Sequence, residues 1–206
     1  LNSTDIKEFR KTAEEIFAPI YPVIADNIIK KTKADKGLCI DIGTGTGCLG
    51  LAIAKKLPDM EVILSDISEE MIKIADTNIE KAGNGNRVKT KKGNVEALPF
   101  QDSIADLIVS RGSIFFWEDV YKGILEIYRV LKPGGFAYIG GGFGNEELTE
   151  KINAQMVKKN PNWFEERKDR IGEDRHKFFE ETIKRAKIPN YEIERGKAGL
   201  WIIFQK

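Results

Sequence analysis

Along this chain the spacing of apolar positions switches regularly between a helical period and short runs that suit strands. Residues 4–35 carry the helical period, with Ile6, Phe9, Ala13, Ile16 and Phe17 on one face. Pro19 and Pro22 break that run and open a second helix with Ile24, Ile28 and Ile29 inward. Leu38 to Ile42 predicts strand one, and Leu49, Ala52, Ile53 and Leu57 line a helix that Pro58 ends. The unit then repeats. Glu61 to Ser65 predicts strand two, closed by Asp66. Ser68 caps the next helix, Glu69 and Glu70 complement its dipole, and Met71, Ile72, Ala75 and Ile79 form its apolar face up to Gly83-Asn84-Gly85. Arg87 to Lys92 predicts strand three. Ala105 to Ser110, nearly all apolar, predicts a strand buried on both faces. Val120, Ile124, Ile127, Tyr128 and Leu131 mark another helix, which Lys132-Pro133-Gly134-Gly135 ends and turns into strand five, Phe136 to Ile139. Gly140, Gly141, Gly142 and Gly144 follow as a mobile or closely packed edge. Residues 145–187 read as helical and highly charged, with a break at Asn160-Pro161-Asn162. Tyr191 to Arg195 and Leu200 to Phe204 predict a closing antiparallel hairpin, linked by Gly196-Lys197-Ala198-Gly199.

Strands alternating with helices predict a doubly wound α/β sandwich, and the hairpin makes its sheet mixed. A length of 206 residues suits one such domain. Charge narrows the function classes. Lys plus Arg number 33 against 32 Asp plus Glu, a net charge of +1, so a protein that grips nucleic acid by its phosphates is not expected. No apolar run approaches the ~18–20 residues of a membrane span, and a cytoplasmic protein is expected. Cys39 and Cys48 match no zinc spacing and read as buried thiols. His176, the only histidine, stands among Glu173, Asp174, Arg175 and Lys177 and reads as part of a solvated helix face rather than a general base. No metal site is predicted.

The candidate chemistry centres on Asp41-Ile42-Gly43-Thr44-Gly45-Thr46-Gly47, between strand one and its helix. Three alternate glycines let a ligand approach the backbone. Asp41 at the mouth would repel a pyrophosphate and suits a ligand with positive charge. Gly45-Thr46-Gly47-Cys48-Leu49-Gly50 nevertheless also satisfies the dinucleotide pattern. Asp66, about twenty residues on, ends strand two where an acid binds ribose hydroxyls in either case. Loop and acid together predict an adenosine-type ligand and do not choose it.

Further segments make that choice. With the glycine loop and Asp66, Gly93-Asn94-Val95-Glu96-Ala97-Leu98-Pro99-Phe100 and Arg129-Val130-Leu131-Lys132-Pro133-Gly134-Gly135 give residues 37–140 a pattern that resembles the class I S-adenosylmethionine-dependent methyltransferases, in their small-molecule branch. The resemblance implies seven strands in the order 3-2-1-4-5-7-6 with the last antiparallel, S-adenosylmethionine as cofactor and S-adenosylhomocysteine as product. It implies one domain over 1–206: an N-terminal helical cap (1–36), a cofactor-binding core (37–140), a helical lid (141–187) and the hairpin (188–206). It also implies the cofactor contacts. Asp41 meets the methionine ammonium, Gly43, Thr44, Gly45 and Gly47 cradle the methionyl part, and Asp66 takes the ribose. Ile67, Met71, Asn94, Val95 and Glu96 surround the adenine, with Ser110 and Arg111 after strand four. Asn94 departs from the pattern, standing where many relatives have Asp; its side-chain carbonyl can still accept from the adenine amino group, and a plain turn residue is the competing reading.

Ser110-Arg111-Gly112-Ser113-Ile114-Phe115-Phe116-Trp117 lies where such enzymes present the methyl group. Arg111 holds a carboxylate or makes a surface ion pair. The three aromatics wall the site, at least one of them serving as core. Tyr21 is either part of a lid or core. Arg111, Ser113 and Tyr21 are the catalytic candidates, since in-line transfer needs alignment more than a dedicated base. Residues 145–172 read as a lid burying Trp163 and Phe164. The expected partner is a small-molecule acceptor and the expected assembly a monomer or homodimer. A non-catalytic binding module and an RNA or protein methyltransferase stay as alternatives.

Overall fold

Successive residues of the central strands are buried on opposite faces of the sheet, and that alternation of faces builds the two layers of the fold. The computed structural model describes residue 8 and residues 10–206; Ile6 and Phe9, on the first predicted helical face, lie outside them. The strands are β1 (Lys36–Ile42), β2 (Asp59–Asp66), β3 (Val88–Lys92), β4 (Ala105–Arg111), β5 (Leu131–Gly142), β6 (Asn190–Gly196) and β7 (Gly199–Gln205). They form one sheet in the predicted order β3-β2-β1-β4-β5-β7-β6. β1 to β5 run parallel, and β7 is antiparallel to both β5 and β6. Cys39, Leu107, Val109 and Ile203 pack on one face with α1 (Ile20–Thr32), α2 (Cys48–Lys56) and α3 (Glu69–Ala82). Their chain neighbours Ile40, Ile108 and Ile202 pack on the other with α4 (Val120–Val130) and α7 (Glu173–Arg185). This is the period of two of a strand covered on both sides. No helix among the described residues is long and apolar enough to cross a membrane.

The structure departs from the pattern in four places. A π-helical turn, Thr12–Ile16, precedes α1. β5 begins at Leu131, not Phe136. Ala105 pairs with Leu131 and Leu107 with Phe136, so Lys132 to Gly135 bulge out inside the strand. A side chain at Gly135 would press on the Ala105 carbonyl at 2.9 Å. The glycines at 140–142 are ladder residues: Gly140 opposes Trp201 and Gly142 opposes Gly199, and a Cβ on either would overlap the backbone of that region of β7. The charged segment breaks twice, at Asn160–Asn162 and again at Gly172. It gives α5 (Glu146–Lys159), α6 (Trp163–Ile171) and α7; the second break is held by a glycine because a Cβ there would meet the Lys168 carbonyl. Trp163 is buried against Phe143, with Nε1 donating to Asn153 Oδ1 at 2.9 Å. Phe164, one residue or 100° further round α6, is 56% exposed and not buried as the pattern suggested.

Candidate cofactor and acceptor site

The site forms where β1, β2 and β4 end. Gly43, Gly45 and Gly47 all take the left-handed conformation (φ 62°, 55° and 84°), which glycine adopts at little cost. Gly43 is the tightest, because a Cβ there would overlap Ser113. The loop is pinned from β2: Thr44 N donates to Ser65 O at 3.0 Å and Gly45 N to Asp66 Oδ2 at 2.8 Å. Asp66 Oδ1 accepts from Ser68 N at 2.9 Å. Burial raises the Asp66 pKa, and these amides oppose the shift.

Asp41 lies beneath this loop, 1% exposed. Its Oδ2 accepts from Thr44 Oγ1 at 2.7 Å and from Gly50 N at 2.9 Å. Oδ1 accepts no bond from the described residues. Burial pushes its pKa up to about 7, against those two bonds, and the Asp66 charge adds to the rise. A buried carboxyl poised near neutrality with one oxygen uncommitted fits a ligand ammonium, which would ionise it. The cradle therefore fits the methionine end of S-adenosylmethionine.

Val109 pairs in register with Asp41, so Arg111, two residues on, shares the Asp41 face of the sheet. It makes no ion pair with any described residue, which corrects the surface ion pair. Its guanidinium lies 4.7, 5.8 and 5.5 Å from the rings of Phe17, Tyr21 and Phe143, and Nε donates to Gly142 O at 3.3 Å. Desolvation lowers its pKa. Tyr21 is buried, and its hydroxyl is raised to about 12 by that burial, with Arg111 opposing. It is core and cage together. Ser113 is fully engaged: Oγ lies 2.6 Å from Ser110 Oγ and 3.2 Å from Ile42 O, and accepts from Trp117 Nε1 at 3.1 Å. Phe115 packs on Phe179, while Phe116 is 73% exposed.

On the adenine side, Ile67 is 64% exposed at the rim, and Met71 and Val95 are buried. Asn94 Oδ1 accepts from Glu96 N at 3.0 Å, the turn geometry of the competing reading, with a lone pair left for a ligand. Glu96 points elsewhere. Its Oε1 accepts from Glu118 N and Asp119 N, both at 3.0 Å, and so ties the adenine-side loop to the start of α4. Cys39 is buried, but Cys48 is only half-buried, with Sγ 3.1 Å from Thr46 Oγ1. His176 is half-buried rather than solvated, and its Nδ1 has no partner among the described residues.

Arg129 and Glu126 went unread as site residues. Arg129 donates to Leu98 O (3.1 Å), Phe100 O (2.8 Å) and Asp102 (2.7 Å), and Glu126 accepts from Leu98 N (2.8 Å). The two also pair with each other. Their spacing of three in a helix was the available signal. This clamp fixes the loop behind Asn94 and Val95. Arg129→Leu is expected to cost about 1–3 kcal/mol, since it strands two carbonyls and Glu126. It should also weaken cofactor binding, read by urea unfolding and calorimetric titration. Arg129→Lys should restore only part, lacking the forked donors.

The sheet order, the glycine loop and the two acids define a Rossmann-like adenosine-binding domain. A family model described as a methyltransferase domain matches residues 40–139. A solved structure from Methanococcus maripaludis, assigned to the S-adenosyl-L-methionine-dependent methyltransferases, is 45% identical with a TM-score of 0.95, covering 98% of this chain and 92% of that one. The chain belongs to the S-adenosylmethionine-dependent methyltransferase family. An uncharacterized methyltransferase of Bacillus subtilis is 34% identical over 122 residues, 57% of this chain and 65% of that protein. The 2-methyl-6-phytyl-1,4-hydroquinone methyltransferase 1 of Oryza sativa subsp. japonica is 40% identical over 102 residues, 50% of this chain and 30% of its own. The chain thus spans less than two thirds of either curated relative.

Proposed function

We propose that this chain transfers a methyl group from S-adenosylmethionine to a small-molecule acceptor in the cytoplasm. The acceptor would lie under a cap drawn from the described residues ahead of α1 and from α5 and α6, beside a core at 37–140 and the hairpin at 188–206, while α1 and α7 pack on the sheet. Asp41 carries the reading, as a buried carboxyl beneath a glycine cradle with one oxygen left uncommitted by the described residues. When bound, the cofactor supplies a methyl group already activated by its positive sulfur, so the protein's work is alignment. Asp41 holds the ammonium, and Arg111 on the same sheet face holds the methionyl carboxylate as a charge-assisted pair. Asp66 has lone pairs left for the ribose hydroxyls, and Asn94, Val95 and Ile67 border the adenine. Neither Tyr21 nor Ser113 has the character of a base: one hydroxyl keeps its proton at neutral pH, and the other is held by three partners. Ser113 acts through Gly43 and Trp117 as a positioning residue. Two free thiols favour a reducing compartment. The curated relatives' named acceptors include hydroquinones, which supports a small molecule.

Calorimetric titration with S-adenosylmethionine and with NAD tests the cofactor. Binding of the first alone is expected, and NAD binding without it would overturn the reading. Labelled methyl transfer in a cell extract should mark a low-molecular-weight fraction. Label in RNA or protein would reassign the acceptor.

A further inference from the structure

Two guanidiniums meet at Phe143 without an acid between them. Arg111 lies 5.5 Å from the ring centroid and Arg167, from α6, lies 5.0 Å from it. Neither makes an ion pair with a described residue. Arg167 donates to a backbone carbonyl, that of Lys197. Both are held below the usual arginine pKa, chiefly by desolvation, and the Arg111 charge adds to the effect on Arg167. Crowding two like charges in a half-buried aromatic setting works against folding, so the arrangement serves an anionic ligand. The cofactor has one carboxylate, and Arg111 shares the Asp41 face of the sheet where the amino-acid end belongs. Arg167 is left over. It comes from the cap, outside the 40–139 stretch shared with the methyltransferase domain, where the acceptor must be recognised.

There is room in front of it. A cavity of about 560 Å³ between α5, α6 and the β6–β7 turn is lined by Arg167, Lys168, Arg195 and Lys197 against Glu146 and Glu150. Lys197 already engages Glu146 at 3.4 Å and Arg195 engages Glu173 at 2.7 Å, which leaves two basic side chains, Arg167 and Lys168, to one acid, Glu150. Phe164 gives the same cavity an apolar wall.

We propose that Arg167 binds a carboxylate on the methyl acceptor, so that the acceptor is an organic acid with an apolar body. The planar fork of a guanidinium suits a carboxylate. The inference rests on the cofactor reading above, and its test separates the two. S-adenosylhomocysteine is titrated first into the wild type and Arg167→Gln. Equal binding shows that both are folded with an intact cofactor site; no binding to the wild type overturns the cofactor reading itself. Benzoate, benzamide and phenyl phosphate are then titrated into the product-loaded proteins. Benzoate is expected to bind the wild type about tenfold or more tighter than benzamide, and Arg167→Gln should abolish that preference. Equal binding of benzoate and benzamide, a preference that survives the substitution, or selection of phenyl phosphate over benzoate would each overturn the carboxylate assignment.

Discussion

Asp41→Asn is expected to weaken S-adenosylmethionine binding roughly 30-fold, about 2 kcal/mol, the scale of one charge-assisted hydrogen bond. The amide keeps an oxygen to accept from Thr44 Oγ1 and Gly50 N, so the loop should stay in place. What it loses is the negative charge. The pH dependence separates this cause from a packing defect. The folded-state pKa is raised, from 3.8 to about 7. Such an acid contributes stability that is full below the unfolded value and is lost as pH rises through about 7. Unliganded wild type should therefore lose stability relative to Asp41→Asn between about pH 4 and pH 7. Asp66, also raised, affects both proteins alike. Ligand binding runs the other way: an ammonium favours the ionised carboxyl, so below about pH 7 binding must expel a proton. Wild-type affinity should fall by up to about tenfold per pH unit from about pH 7 to pH 5.5, and that of Asp41→Asn should stay flat. Titration in buffers of different ionisation enthalpy reads the released proton directly. An equal pH slope in both proteins would remove Asp41 from the binding role.

Gly43→Ala should be a severely damaging single methyl in the cofactor loop. It should cost roughly 2–4 kcal/mol of stability and most of the cofactor affinity. The added Cβ overlaps Cβ and Oγ of Ser113. Ser113 has nowhere to retreat, since its hydroxyl is bonded to Ser110, Ile42 and Trp117. The backbone at φ 62° also disfavours any residue with a Cβ. Urea unfolding measures the loss. The double variant Gly43→Ala/Ser113→Gly removes the opposing Cβ and should recover part of it, though three hydrogen bonds go with the serine. If the single variant matches the wild type in both stability and affinity, the close packing of β1 on the loop after β4 is not what shapes the cradle.

Much of this site could be read from local pattern. Asp41, the glycines and Asp66 are legible because strand ends and left-handed turns demand particular residue types within a few positions of each other. Ser68 was readable as a cap for the same reason, and its Oγ does accept from Met71 N. The bulge at Lys132 to Gly135 was not, because the run Lys-Pro-Gly-Gly marks a turn without saying that the residue before it already pairs with β4. Gly172 was passed over inside a charged helical run because its neighbour, the Lys168 carbonyl, is a feature of the turn and not of the residue. Glu96 read as an adenine contact from its place after Asn94 and Val95, yet its carboxylate closes the start of α4 from 22 residues away.

The chain's own periodicity and end-of-strand residues set out the alternation of strands and helices and the glycine loop between two acids, because each depends on near neighbours; the family and the sheet order followed from the resemblance those segments carry. Folding alone decided the acceptor side. Arg111 comes from β4, Phe17 and Tyr21 from the N-terminal segment, Phe143 from the end of β5 and Arg167 from the cap. Their meeting depends on how those elements pack at the carboxyl ends of β4 and β5, and no spacing along the chain records that. Arg111 and Arg167 share one ring and lack an acid between them only because of that packing, and it gives the site its preference for a negative charge.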